Sequence, residues 1–359
     1  MKYNKKTLKD INVRQKKVVL RLDLNVPLKD GVITDTTRIE ASLKTLNYLI
    51  KNKAKIIILS HLSRIKSVDE IQSNKKSLKV VAEKLQEFLP KTKIIFEPLN
   101  VNPKLKKFIE NDAKFPYASL GDIFVNDAFG TCHRAHASNV GIGQNIKESC
   151  IGFLIQNELK YLNKLINSSK KPFVAVLGGA KVEDKVKIIE KIAKVSDYVI
   201  IGGAMAYPFL EIQGYNIGQK LFNFDKDVVQ KLFKKYQKKL ILPVDFIVTD
   251  NISEPKIVKS YNFNAKIPEN LFGVFEIDQF ANGTKKICKA IAKQTKINNS
   301  FTLIGGGDSA AAAKKFKCES DFSFISTGGG ASIAFIEGSE LPVVIISNLQ
   351  ILVINFQII

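Results

Sequence analysis

The stretch Phe173–Tyr207, FVAVLGGAKVEDKVKIIEKIAKVSDYVIIGGAMAY, decides the architecture. The apolar run Phe173–Leu177 breaks into two glycines. A segment with apolar residues at helical spacing follows (Val182–Val195), and the run Tyr198–Ile201 breaks into glycines again. Short apolar runs joined through one helix predict parallel strands, because a parallel neighbour can be reached only by a long crossover. The alternation continues outward. Val18–Leu20, Lys55–Leu59, Ile123–Val125 and Thr302–Ile304 read as strands, and Arg38–Lys51 and Leu78–Phe88 as amphipathic helices. The expected class is α/β, with parallel sheets carrying helices on both faces.

Parallel sheets gather ligands beyond the C-terminal ends of their strands. Five runs here are followed at once by such material: SHLSR after Leu59, NDAFGTCHRAH after Val125, GGAKVEDK after Leu177, GGAMAY after Ile201 and GGGDSAAA after Ile304. A break falls near 145–172. Cys150–Ile166 has helical spacing (Leu154, Leu159, Leu162, Leu165) and ends in Asn167-Ser-Ser-Lys-Lys-Pro172, so it reads as a connector between two lobes. The expected organisation is a first lobe over 1–150, a hinge helix over 151–170, a second lobe over 171–340 and a separate tail over 341–359.

Bulk composition narrows the class. A chain of 359 residues, 45% hydrophobic and 25% charged, suits a soluble two-domain protein. The opening MKYNKKTLKD is polar and unlike a signal peptide. Cys132, Cys150, Cys288 and Cys318 show no metal spacing and suit a reducing cytoplasm. The net charge of +21 raises nucleic-acid binding as an alternative. The lysines, however, are scattered as pairs such as Lys234-Lys235, which favours a solvated basic surface. The five arginines (Arg14, Arg21, Arg38, Arg64, Arg134) and three histidines (His61, His133, His136) all lie in the first 136 residues. Where lysine is the usual cation, arginine marks sites that need a flat two-pronged donor for carboxylate or phosphate, so the first lobe is an anion-binding candidate. Arg14 stands outside the motifs and reads as a surface residue.

RLDLNVP alternates, setting Arg21, Asp23 and Asn25 on one face; taken alone it reads as an edge strand with a wet face. Asp35 is a candidate N-cap for the next helix. Arg38 in the first turn opposes the helix dipole and therefore calls for an anionic partner. Lys181 and Lys185 share a helical face behind Gly178-Gly179, either an anion cradle or a solvated pair. Gly202-Gly203 reads as a pocket wall or a plain turn, and Glu276 as a ligand or a surface residue. Ser326-Thr-Gly-Gly-Gly330 reads as an anion nest, a helix cap, or both.

In order along the chain, RLDLNVPLKDGVITDTTRI, LSHLSR, ASLGDIFVNDAFGTCHRAHAS, LGGAKVEDK, IIGGAMAY, GVFE, IGGGDSAAA and FISTGGGAS resemble the signature segments of phosphoglycerate kinases. The resemblance implies two Rossmann-like lobes, each a parallel sheet with helices on both faces, that close about a hinge helix. It also implies reversible transfer of a phosphoryl group from 1,3-bisphosphoglycerate to ADP. Arg21, Asp23, Asn25, Arg38, His61, Leu62, Ser63, Arg64, His133, Arg134 and His136 would hold 3-phosphoglycerate. Gly178, Gly179, Ala180, Lys181, Lys185, Gly202, Gly203, Glu276, Gly306, Gly307, Asp308 and Ser309 would hold ADP or ATP, with Mg²⁺ on Asp308. Gly328, Gly329 and Gly330 would add backbone donors. Arg38 and Lys185 would be catalytic, in a cytoplasmic monomer that acts on small molecules without membrane or nucleic-acid partners. Measured against that pattern, segments run together near Glu110–Asn111 and Asn270–Phe272, and the ending after Leu341-Pro342 differs. A degenerate homologue that binds nucleotide or anion without turnover therefore stands as an alternative, beside a nucleic-acid binder on the same frame.

Overall fold

The computed structural model describes residues 6–63, 77–96, 120–167, 171–179, 186–215, 224–249, 258–262 and 277–346. These form two compact units. The first draws on Met1–Asn163, Thr327–Phe335 and Ser339–Ile359, the second on Lys164–Ser326 and Ile336–Gly338.

The first unit is built on β1 (Lys17–Leu22). A short antiparallel hairpin follows, β2 (Leu28–Lys29) with β3 (Val32–Ile33), and then α1 (Thr37–Lys51), β4 (Lys55–Leu59) and α2 (Lys79–Phe88). Next come β5 (Ile123–Asp127), α3 (Ile142–Asn145), β6 (Glu148–Ile151) and α4 (Phe153–Asn167). The sheet order is β4-β1-β5-β6, parallel throughout. Val18 and Leu20 point into the core shared with Ile39, Leu46 and Leu49 of α1 and Val81 and Leu85 of α2. Val19 points the other way, onto Phe124 and Ile142. Both faces of β1 are therefore dry, which explains its unbroken apolar run. RLDLNVP is not an edge strand with a wet face: β1 sits inside the sheet, with Arg21 and Asp23 both buried.

The second unit begins with β7 (Val174–Leu177), α5 (Val186–Val195), β8 (Tyr198–Ile201), α6 (Tyr207–Glu211), α7 (Lys226–Tyr236) and β9 (Leu240–Ile241). β7, β8 and β9 form one parallel sheet. The inward residues Val199 and Ile201 pack on Ile189 and Ile192 of α5, Phe209 of α6 and Leu232 of α7. On the opposite face Val174, Val176, Tyr198 and Ile241 are exposed. An antiparallel pair follows, β10 (Asp245–Thr249) with β11 (Val258–Asn262), then α8 (Asn282–Ile297). β12 (Leu303–Gly305), α9 (Gly307–Lys315) and β13 (Phe324–Ser326) complete the unit, with β12 and β13 as a separate parallel pair. The final elements are α10 (Gly330–Ile336) and α11 (Pro342–Ile346). Thr327–Phe335, which the sequence reading places in the second lobe, packs with the first unit. The expected junctions near 110 and 271 and the tail from 347 lie outside the described residues.

The connector helix α4, whose last turn passes into the second unit, is anchored by a buried carboxylate from the sheet. Asp127, at the end of β5, accepts the backbone N–H groups of Leu154 at 2.9 Å and Ile155 at 3.1 Å, donors with no partner inside the helix. A side chain at Gly152 would collide with that carboxylate, so the approach requires glycine there. Burial pushes the Asp127 carboxyl up to about 6 against hydrogen bonds from Thr45 and those two amides. Because the folded value lies above the unfolded one, this residue's contribution to stability is fully present below pH 3.8 and is lost as pH rises toward 6. Asp127→Asn keeps an acceptor oxygen but cannot ionise. We expect its unfolding free energy to rise relative to wild type by about 2 kcal/mol between pH 4 and pH 7, measured by denaturant unfolding of the first unit. Parallel pH profiles for the two proteins would refute this role.

Candidate anion and nucleotide sites

Strand register assembles the first site. Arg21 on β1 pairs with Leu59 of β4 on one side and Asn126 of β5 on the other. The loops that follow all three strands therefore emerge at the same sheet end. Arg21 is buried, and its guanidinium donates to the carbonyls of Leu22 and Leu59, to Ser138 Oγ at 3.3 Å, and lies 3.0 Å from His61 Nδ1. Arg38 forms an ion pair with Asp23, which supplies the anionic partner that its place in the first turn of α1 calls for. Asp35 accepts the Thr37 N–H at 2.8 Å, while Thr36 occupies the N-cap position itself. Gly130 lies so close to the Asp23 carboxylate that a β-carbon would displace it. Asn25 Oδ1 accepts the Ser63 N–H at 2.7 Å, tying the RLDLNVP turn to the SHLSR loop. Leu62 is buried beneath that loop.

The HRAH segment supplies the rest. Arg134 Nε donates to His133 Nε2 at 3.1 Å, and Arg134 and His136 are exposed. All three histidines titrate below the ordinary 6.5. Burial is the main cause for each; Arg21 adds to it for His61, and Arg134 for His133 and His136. Neutral imidazoles beside guanidinium groups that outnumber the Asp23 carboxylate leave the site positive and able to take up protons when an anion arrives. The Thr327–Gly330 segment belongs to this unit. Arg38 Nη2 donates to the Thr327 carbonyl at 3.4 Å, a side chain at Gly328 would strike Phe129, and Gly330 borders His133. Glu158 of α4 holds this segment by accepting the Thr327 N–H at 2.8 Å and its hydroxyl at 3.2 Å.

In the second unit the two glycine turns lie side by side because their strands are neighbours. Gly202 N–H donates to Leu177 O at 2.8 Å and Met205 N–H to Gly179 O at 3.0 Å. Gly203 adopts φ +63°, a conformation that side chains resist. The turn before α9 is similar: Gly306 has φ +110°, and Gly307, Asp308 and Ser309 in the first helical turn are exposed. Exposed amides and a carboxylate at that helix start suit a cation shared with phosphates, because Mg²⁺ in such sites commonly takes only one or two protein carboxylates. Arg64, Ala180, Lys181, Lys185 and Glu276 lie outside the described residues.

Three polar residues of the first site carry no role in the sequence reading. Ser138 and Asp127 sit inside the NDAFGTCHRAHAS segment but show no period or spacing that marks them. Glu158 was open to notice. It falls on the apolar stripe of α4 between Ile155 and Leu162 and is buried there, and a carboxylate on a core stripe needs partners.

Two α/β units with parallel sheets, whose polar and glycine-rich loops sit at strand ends, define the class of α/β proteins that carry ligands beyond their sheets. The phosphoglycerate kinase family model matches residues 8–115, 110–272 and 267–339, and the chain belongs to that family. It is 44% identical to the phosphoglycerate kinase of Malacoplasma penetrans, over 95% of this chain and 86% of the relative. With the Enterococcus faecalis enzyme the identity is 42%, over 94% and 98%. Among solved structures, phosphoglycerate kinase from Coxiella burnetii superposes with a TM-score of 0.75 at 32% identity, covering 96% of this chain and 98% of that one. The Pyrococcus horikoshii enzyme gives 0.78 at 28% identity, covering 95% and 98%. The first two alignments extend over 405 and 393 positions, more than the 359 residues present here.

The histidine cluster gives a direct test. In the free protein we expect His61, His133 and His136 each to titrate below 6.5 by NMR, and inorganic phosphate to move His61 and His136 upward. Values at or above 6.5 without ligand, or no response to phosphate, would remove the anion site.

Proposed function

We propose that this chain is a phosphoglycerate kinase that transfers a phosphoryl group reversibly between 1,3-bisphosphoglycerate and ADP in the cytoplasm, as a monomer. The observation that carries the reading is the Arg21, Arg38, His61 and Arg134 constellation at one sheet end, in a chain whose other cations are almost all lysines. The first unit binds 3-phosphoglycerate through Arg21, Asp23, Asn25, Arg38, His61, Arg64 and Arg134. The glycine turns at Gly178-Gly179, Gly202-Gly203 and Gly306-Gly307, with Lys181, Lys185 and Glu276, bind the nucleotide. Asp308 would hold Mg²⁺, which supplies charge to the nucleotide phosphates.

In the ATP-consuming direction the nucleophile is a carboxylate, which carries no proton, so the reaction needs no general base. The transferring group spreads negative charge over its equatorial oxygens, and catalysis is then mainly placement and electrostatics. Arg38 serves the carboxylate and the moving group. Its tie to Asp23 orients the guanidinium, and glycine at 130 leaves the room that the Asp23 carboxylate occupies. Lys185 serves the moving phosphoryl. Neutral His61 and His136 keep the pocket able to accept a dianion by proton uptake. Helix α4, in which the chain passes from one unit to the other, is the proposed hinge.

A second reading, a homologue that binds without turnover, rests on the junctions. The family match is divided at 110–115 and 267–272, beside the places where signature segments run together. On this reading the chain lacks a strand and a substrate arginine in its first unit and a strand-bearing segment in its second. A coupled assay of ATP formation from 1,3-bisphosphoglycerate separates the two. For the active enzyme, Arg38→Ala is expected to lower kcat by about 10²- to 10³-fold. Lys185→Ala should slow turnover at least about a hundredfold while leaving 3-phosphoglycerate binding intact. Turnover unchanged in either variant would remove its catalytic role, and no turnover in the wild-type chain with retained nucleotide binding would establish the second reading.

A further inference from the structure

Two of the four cysteines face each other in the second unit, in a position that the phosphoryl-transfer chemistry does not use. Cys288 lies in the middle of α8 and Cys318 follows the C-terminal end of α9, thirty residues on. Their sulfurs are 2.8 Å apart, and both side chains are buried in one small cluster with Ala292, Ile304 and Ala313. That cluster is thin. Along the whole of α8 only Cys288 and Ala292 are buried, and Ile287 and Ile297 of the same helix are exposed. Partly buried Ala310, Phe316, Phe322 and Ile325 pack against the cluster, and polar ties join Thr295 to Thr302 at 2.6 Å and Lys296 to Asp321 at 2.7 Å. A helix with only two fully buried residues opens locally more readily than the cores of the two units, and such opening brings a buried thiol within reach of a small oxidant. Cys318 sits one residue from exposed Lys317 and Glu319.

We propose that Cys288 and Cys318 form a redox site that closes to an intramolecular disulfide on exposure to a peroxide, fastening α8 to the C-terminal end of α9. One thiol, ionised during local opening, attacks the peroxide O–O bond to give a sulfenic acid and water. The partner thiol then attacks that sulfur, forming the S–S bond and expelling a second water. Two thiols and one hydrogen peroxide thus become one disulfide and two waters. The sulfurs need close by less than an ångström to reach the bonded distance of about 2.05 Å. Burial and the neighbouring thiol push Cys288 up to about 12, so the closed protein presents little thiolate. Cys132 and Cys150, buried in the first unit, serve as internal comparisons; Cys132 donates to the Ala128 carbonyl at 3.6 Å. The cross-link acts on the helix whose opposite end carries Gly307 and Asp308, but its formation does not depend on that turn binding nucleotide.

The test treats the native full-length chain with hydrogen peroxide, blocks remaining thiols under denaturing conditions and maps peptides without reduction. The expected result is a peptide pair joined through Cys288 and Cys318, two thiols lost, and a rise in the unfolding temperature of the second unit by about 3 °C or more. A reductant should reverse the rise, and Cys288→Ser and Cys318→Ser should abolish both the linked peptide and the shift. Full alkylation of both residues after peroxide, pairing with Cys132 or Cys150, or conversion of Cys318 to a higher oxide in the wild-type protein would overturn the proposal.

Discussion

The register of three parallel strands is the constraint on which the first unit depends. With β1 held between β4 and β5, the residues Arg21, Leu59 and Asn126 stand abreast, and each chain leaves the sheet at the same level. One loop then carries His61 and Ser63, another, after Asp127, carries Gly130 and the HRAH segment, and the third Asp23 and Asn25. A shift of one residue in any pairing would turn Arg21 into the apolar core or remove His61 from its guanidinium. The site is thus a consequence of strand pairing before it is a matter of side-chain chemistry.

Burying an arginine in such a place is costly unless its donors are used. Arg21 uses them on two backbone carbonyls, a hydroxyl and an imidazole, none of which carries negative charge. Its donors are therefore satisfied by neutral groups, with Asp23 acting on it only at longer range, whereas Arg38 pairs with Asp23 directly. Burial, with the field of the guanidinium groups adding to it, accounts for the depressed histidines. Among the described residues Arg38 is the cation with an ion pair and Arg21 is held by neutral groups, which suits an anionic ligand, and the neutral imidazoles reduce the repulsion that would otherwise weigh against the folded state.

The second unit is less complete among the described residues. Its parallel strands fall into a set of three and a separate pair, and one face of the larger set leaves Val174, Val176, Tyr198 and Ile241 exposed. The contrast with β1, dry on both faces, is physical: apolar area left in water contributes nothing to stability, at roughly 25 cal/mol per Å² forgone. A family match divided at 267–272 falls within the same unit, and relatives of this chain align over more positions than it possesses.

The alternation of apolar runs with helical segments was legible along the chain, because periods of two and 3.6 are written in the order of residues. So were the loops that follow each strand, the concentration of arginine and histidine in the first 136 residues, and the need of Arg38 for an anion. Pairing was not legible. That β1 is interior and not an edge, that Asp127 caps α4 from another element, and that Thr327–Phe335 returns to the first unit and is held there by Glu158 all depend on contacts between residues far apart in the chain. Local sequence determines what each segment prefers to be. Which carboxylate meets which guanidinium, and which thiol meets which thiol, is decided only when the segments compete for the same buried space.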